Sequence, residues 1–266
     1  MYGEVQTTEW LSPSMVRVVL GGGDLDGYAS TGCTDEYINA AFPPVGAPYQ
    51  PPYETDDLDG VEPELRPRPR RYTVRRWDDA AKQLTVDFVA HGDEGFAGPW
   101  AQRAQPGDRL QFKGPGGGYS PNPDADWYLF AGDESALPAI GASLERLGPD
   151  ARGVALIVVD GPQHEFELQS PDGVEVRWLH RREVDDPAGL LVDTVTALEI
   201  PTGTLDLFVH GEAGEVRDVR RHLANDRGVE VNGASISPYW RRNYTDEDWR
   251  AVKAAWTAEM RAETAG

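Results

Sequence analysis

Cysteine is almost absent from this chain: Cys33 stands alone among 266 residues. One thiol rules out an intrachain disulfide, and also any four-cysteine zinc or iron–sulfur centre built from this chain, so no metal site is expected and a reducing, cytoplasmic setting is. Lysine is nearly as scarce. Only Lys82, Lys113 and Lys253 occur, arginine makes up the rest of the 25 basic side chains, and 45 Asp and Glu leave a formal net charge of -20. That balance argues against a nucleic-acid partner, because neutralising phosphate supplies most of such affinity. Long apolar runs are missing as well, and residues 1–10 have neither the basic nor the apolar region of a secretion signal. Neither membrane insertion nor signal-directed export is therefore expected.

With 39% hydrophobic residues the chain can bury a full core, and its length suits two domains of ordinary size. The first half reads as short strands: MVRVVL (15–20), EYINAAF (36–42), RYTVRRW (71–77), QLTVDFVA (83–90) and RLQFK (109–113). In QLTVDFVA, Leu84, Val86 and Phe88 alternate with Thr85 and Asp87, the period of a strand with one wet face. Strands at this spacing, divided by Gly, Pro and Asp turns, predict an antiparallel barrel or sandwich. A proline-rich acidic stretch, 43–69, is too long for a hairpin loop and reads as a surface excursion, functional or mobile.

After GPGGGYSPNPDAD (114–126) the pattern changes. WYLFA (127–131), VALIVV (154–159), VEVRWL (174–179), LDLFVH (205–210) and VEVNGASI (229–236) read as strands. Helical patterns at 135–147, 190–198 and 214–226 alternate with them, which predicts a parallel sheet covered by helices. A last helix, 245–260, has Thr245 and Asp248 at capping-box spacing and puts Trp249, Val252, Trp256 and Met260 on one face. The expected plan is a β-barrel domain, 1–122, followed by an α/β domain with a C-terminal helix, 123–266.

Positive charge is concentrated in RPRPRRYTVRR (66–76), which holds six arginines in eleven positions. Strand alternation sends Arg70 and Tyr72 to one side and Thr73 to the other. Arginine there suits phosphate, and tyrosine suits an aromatic ring. AGDES (131–135) and HGEA (210–213) both turn from strand to helix, where parallel sheets bind ligands or where side chains simply cap helices. Arg181 with Arg182 reads either as an anion-binding pair or as a solvated turn. SPYWRRN (237–243) reads either as a pocket wall or as packing for the terminal helix. No Gly-x-Gly-x-x-Gly fingerprint occurs, which speaks against an ordinary dinucleotide-binding dehydrogenase.

Arg-x-Tyr-Thr-x-Arg at Arg70, Tyr72, Thr73 and Arg75, followed in order by VDFVAHG (86–92), AGDESALPAI (131–140), VRWLHR (176–181), HGEA and SPYWRRN, resembles the siderophore-interacting proteins. The resemblance spans roughly residues 10–262. It implies a ferredoxin-NADP reductase-like plan: an antiparallel Greek-key barrel that binds FAD, then a C-terminal α/β domain that binds NADPH or NADH. It implies a ferric siderophore as substrate and, as an alternative electron donor, a ferredoxin. For FAD it implicates Arg70 at the pyrophosphate, Tyr72 on the isoalloxazine and Thr73 near the flavin N5. Val74, Asp87, Val89, His91, Gly95, Ala97, Gly98, Tyr239 and Trp240 complete that set. It places Gly132, Asp133, Glu134, Ser135, Ala136, Gly211, Glu212 and Ala213 at the pyridine nucleotide, with Arg181 as the phosphate candidate, and Arg241 and Arg242 at an anionic chelate. Because the cofactor carries the chemistry, no catalytic acid, base or nucleophile is expected. Two other readings stay open: a siderophore-binding flavoprotein without turnover, and a general flavin or ferredoxin-type oxidoreductase.

The chain departs from the family where Gly-Pro-Ala-Ser-x-Trp-Ala is common, carrying Gly95, Phe96, Ala97, Gly98, Pro99, Trp100 and Ala101. Gly98 has no hydroxyl for a phosphate oxygen. Backbone N–H groups of a short helix and Arg70 are expected to serve instead.

Overall fold

The computed structural model describes residues 1–93 and 95–264. It divides into two compact units, Met1–Ser120 and Pro121–Gly266, against an expected junction after residue 122.

In the first unit six strands, β1 (Tyr2–Ser12), β2 (Met15–Gly21), β3 (Tyr37–Phe42), β4 (Arg68–Asp78), β5 (Gln83–Val89) and β6 (Arg109–Gly116), close a barrel. Their order is β1-β2-β5-β4-β3-β6, and each neighbouring pair is antiparallel. Alternation drives the closure: Leu84, Val86 and Phe88 of β5 are fully buried and meet Ile38, Ala40 and Phe42 of β3 in one core. Burying each such side chain is worth roughly 1.5–3 kcal/mol. A short helix, α1 (Ala97–Arg103), adds Ala97 and Ala101 to that core.

β1 does not appear among the expected strands. Its consecutive residues Gln6 to Trp10 are all exposed, so its sequence lacks the apolar period that marked the others. The proline-rich excursion is packed onto β6: the Tyr53 N–H donates to Gln111 Oε1 (2.8 Å), and Gln111 Nε2 donates back to the Tyr53 carbonyl (2.9 Å). The Tyr49 hydroxyl closes the excursion on the Leu65 carbonyl at 2.6 Å.

The second unit contains β7 (Trp127–Asp133), α2 (Leu137–Leu144), β8 (Gly153–Val159), β9 (Val174–His180), α3 (Leu190–Thr196), β10 (Leu205–Glu212), α4 (Ala213–Arg221), β11 (Ser235–Trp240) and α5 (Asp246–Ala262). The sheet runs β11-β10-β7-β8-β9, parallel throughout. β7 and β8 are buried over nearly their whole length, as strands covered on both faces must be.

The expected strand at 229–236 is displaced. Residues 229–233 form turn and irregular backbone, and β11 instead takes in Ser237, Pro238, Tyr239 and Trp240. Pro238 is tolerated because β11 is the sheet's edge, where one side needs no ladder donor. On α5, Thr245 caps the helix by accepting from the Asp248 N–H (3.1 Å), and Trp249 and Met260 are buried. Val252, expected on the same face, is 39% exposed. Among the described residues no helix is long and apolar enough to cross a membrane.

Candidate functional site

On β4 the register sets Tyr72 opposite Ile38 and Arg70 opposite Ala40, so both point to the core side of the strand. Tyr72 lies at the edge of that core, half-buried, 4.5 Å from the Phe88 ring and edge-on to Phe42 at 6.2 Å. One face of the phenol is thus supported by the barrel interior, the arrangement a stacking platform needs. Arg68 and Arg70, four and two residues earlier on the same face, both lie over the Phe96 ring, at 6.0 and 5.4 Å. Arg68 Nε is buried with no acceptor among the described residues. A half-buried aromatic ring beside two fixed guanidinium groups, one with a donor to spare, suits a ligand with a flat ring and a phosphate chain, and so fits FAD.

Thr73 faces the opposite way and is buried (9% exposed). On the same outer face, Asp87 accepts a two-point contact from Arg17 (2.7 Å twice), with Arg75 at 4.0 Å. Asp87, one of the expected FAD residues, is thereby tied to β2. Val74, also expected at FAD, has its side chain in the barrel core, and its N–H donates to the Glu36 carbonyl (2.6 Å). Ala97 and Gly98 are buried against β5, and a Cβ on Gly98 would come within 3.1 Å of the Val89 carbonyl. The missing hydroxyl thus has a packing cause, which was not visible in sequence. Val89 is half-buried on the outer face, His91 is exposed, and Gly95 is exposed with φ +78°, which favours glycine. Gly98→Ser, restoring the family's hydroxyl, is expected to cost about 1 kcal/mol through overpacking. Thermal unfolding of the variant checks this, and a stability equal to wild type would show that Val89 yields.

Glu36, 2% exposed, was expected within a strand and instead pins the loop ahead of β3. It accepts from the Tyr28 hydroxyl (2.7 Å), Ser30 Oγ (2.9 Å), Thr31 Oγ1 (2.6 Å) and the Thr31 N–H. Burial and this carboxylate push the Tyr28 hydroxyl far above its ordinary range. Nothing in the local pattern announced this network.

In the second unit the C-terminal ends of β7, β10 and β11 are tied together by carboxylates. Asp133, 2% exposed, accepts from the Glu212 N–H (3.0 Å), the Trp240 indole N–H (2.7 Å) and the Ser135 N–H (2.8 Å). Glu212 caps α4 by accepting from the N–H groups of Gly214 (2.7 Å) and Glu215 (3.1 Å), and also takes the Arg242 N–H (3.1 Å). Gly132 and Gly211 serve this closeness. A Cβ on Gly132 would stand 2.3 Å from the His210 carbonyl, and Gly211 has φ +137° with Asp133 beside it. Ala136 and Ala213 are fully buried. His210 is buried between Phe208 and Tyr239, and burial drops its pKa to about 3. It stays neutral.

Arg181 is engaged by carboxylates. Its guanidinium donates to both oxygens of Glu134 (2.6 and 2.7 Å) and to Asp160 (2.7 Å), while Arg182 pairs with Asp160. Arg181 and Glu134, both expected at the pyridine nucleotide, are thus paired with each other. Burial opposes the charge on Arg181, but the hydrogen bonds and attraction of Glu134 and Asp160 outweigh it and hold the group protonated. Glu134 moves the other way: burial lifts its pKa despite the arginine, since its own desolvation is the larger effect.

Arg241 lies over the Tyr244 ring at 4.5 Å, and Arg242 reaches Glu215 at 3.0 Å. Both line a cleft of about 500 Å³ with Arg217, Arg221 and Trp256. Arg217 and Arg221, one helical turn apart on α4, were missed in sequence, and Trp256 was read there only as part of the last helix's apolar face.

Residues 4–119 match the siderophore-interacting FAD-binding domain, and residues 125–243 match the siderophore-interacting protein model. The chain is 34% identical to the ferric vibriobactin reductase ViuB of Vibrio cholerae, over 90% of this chain and 88% of that protein. It is 32% identical to the NADPH-dependent ferric-chelate reductase of Escherichia coli, over 89% and 91% respectively. The crystal structure of a siderophore utilization protein from T. fusca superposes with a TM-score of 0.80 at 37% identity, covering 92% of this chain and 94% of that one. With both units matched and relatives covered along nearly their whole length, the chain belongs to the siderophore-interacting protein family.

Proposed function

We propose that this protein is a flavin-dependent ferric-siderophore reductase acting in the cytoplasm, with NADPH or NADH as electron donor. The observation that carries the reading is the row Arg70–Tyr72 on β4, a supported aromatic ring beside a phosphate-seeking arginine, within a unit that matches an FAD-binding domain. When bound, FAD supplies the conversion of a two-electron hydride donor into single electrons for Fe(III). Reduction weakens the hold of the hard oxygen donors of a siderophore on the metal. The protein's own part is to bind and orient. Tyr72 takes the flavin ring, Arg70 takes the diphosphate, and Thr73 lies on the strand's other side near the reactive edge. In the second unit, Asp133 and Glu212 hold the strand ends of the nucleotide site in place. Arg241 and Arg242 are the candidates for attracting an anionic ferric chelate, Arg241 being the better placed because Arg242, Arg217 and Arg221 each already pair with a carboxylate.

The names of the Vibrio and Escherichia relatives support the ferric substrate, and the Escherichia name supports NADPH over NADH. A ferredoxin donor is the second reading, kept because Arg181, the candidate for recognising NADPH, is occupied by carboxylates.

The test is anaerobic: the flavin-loaded protein, a ferric siderophore and NADPH or NADH, with Fe(II) trapped by a chromogenic chelator. Fe(II) formation well above a protein-free control is expected with at least one donor. None, with or without added ferredoxin, would reduce the protein to a binder. Arg70→Ala is expected to weaken FAD retention by about tenfold or more, the scale of one lost charge-assisted contact, while Arg66→Ala leaves it unchanged. Equal retention in the two would remove Arg70 from the site.

A further inference from the structure

Arg68, like Arg71 and Arg76, is a basic residue of β4 that neither the family motif nor the proposed function uses. The β4 register puts it opposite Phe42, on the same face as Arg70 and Tyr72. Its guanidinium lies over the Phe96 ring at 6.0 Å, sharing that ring with Arg70 at 5.4 Å. Phe96, at the start of α1, packs against the barrel core with its ring partly buried, so the platform is held by tertiary packing. Arg68 Nη2 makes one long contact to the Pro63 carbonyl, 3.4 Å, and Nε is buried with no acceptor among the described residues. A buried donor without a partner is destabilising unless a ligand supplies one. Alternate residues on a strand are about 7 Å apart, and one ring now holds both their head groups together. Two such guanidiniums match the two adjacent phosphates of a dinucleotide better than a single phosphate.

We propose that Arg68, positioned by Phe96, is a second diphosphate-binding arginine of the flavin site, acting beside Arg70. The proposal rests on the reading that this unit binds FAD. It also gives the phenylalanine a purpose: the ring that replaces the family's proline holds two cations in register, and they compensate for the hydroxyl absent at Gly98.

The experiment titrates FAD into the full chain stripped of flavin, at low and high salt, following flavin fluorescence, with thermal unfolding of the flavin-free forms alongside. Arg68→Gln should weaken FAD binding about tenfold and flatten its salt dependence, since one charged contact is lost. The flavin-free form should keep the wild-type unfolding temperature or exceed it. Phe96→Leu should weaken binding in the same direction by a smaller factor, with Arg66→Gln as the unchanged control. Binding by Arg68→Gln within about twofold of wild type would overturn the proposal, being well short of the loss a charged contact brings. So would a loss accompanied by an equal destabilisation of the flavin-free form, which would mark Arg68 as a clamp on the proline-rich excursion. Failure of the wild-type chain to take up FAD at all is a different result, and would overturn the flavin reading itself.

Discussion

Replacing Arg181 with Met should destabilise the α/β unit by about 3–5 kcal/mol, the usual consequence of stripping one partner from a buried ion pair. Glu134 is 9% exposed and both its oxygens rest on this guanidinium. Without it, a carboxylate whose pKa burial already raises loses the partner of both its oxygens. Asp160 is half-buried and keeps Arg182, so it loses less. The double variant Arg181→Met, Glu134→Gln should recover most of the loss, because the stranded charge is gone. Calorimetric unfolding at neutral pH measures both variants. A single variant as stable as wild type would mean that the fork is a surface pair in solution. The same proteins bear on nucleotide choice: if Arg181 is structural, the ratio of KM for NADPH and NADH should be alike in wild type and in the double variant.

Glu215→Gln should remove a pH dependence from the stability curve. Burial, then the neighbouring charges of Asp133 and Glu212, push the Glu215 carboxyl up to about 8, against an ordinary value of 4.5. Between those two values the folded chain keeps a proton that the unfolded chain has released, so stability falls as pH rises through the window. A gap of one pH unit between folded and unfolded pKa is worth about 1.4 kcal/mol, so with partial solvent screening a penalty of roughly 2–4 kcal/mol is expected above about pH 8, and none below about pH 4. Glutamine keeps the shape and an acceptor for Arg242, which lies 3.0 Å from the carboxylate. Wild type and variant should therefore unfold alike at the acid end of that window and separate progressively towards its alkaline end, with the variant the more stable. Parallel curves over that range would show that Glu215 titrates as an ordinary carboxylate.

The elements most legible in the sequence were those whose apolar period is local. Leu84, Val86 and Phe88 needed only each other to mark β5, and WYLFA needed only its unbroken burial to mark β7. β1 and β11 escaped for the complementary reason. β1 alternates poorly because much of it is exposed, and β11 contains a proline that only an edge position permits. Arg70, Tyr72 and Thr73 could be assigned to faces from alternation alone. Phe96 could not be assigned to the arginines, since that contact joins the start of α1 to β4, elements separated along the chain by the whole of β5.

By itself, then, the sequence determined the succession of a β-rich half and an alternating α/β half, the family, and which side of β4 carries the flavin motif. Those properties depend on residue spacing over a few positions, and spacing is written in the chain. Only the tertiary structure decided which charges are available. Arg181 meets Glu134 from 47 residues away, Asp133 takes the Trp240 indole from 107 residues away, and Gly132 is required by a strand far along the chain. An arginine beside a strand reads the same whether a carboxylate or solvent faces it. Fold topology settles the difference, and here it set carboxylates around Arg181 and left Arg68 Nε without an acceptor among the described residues.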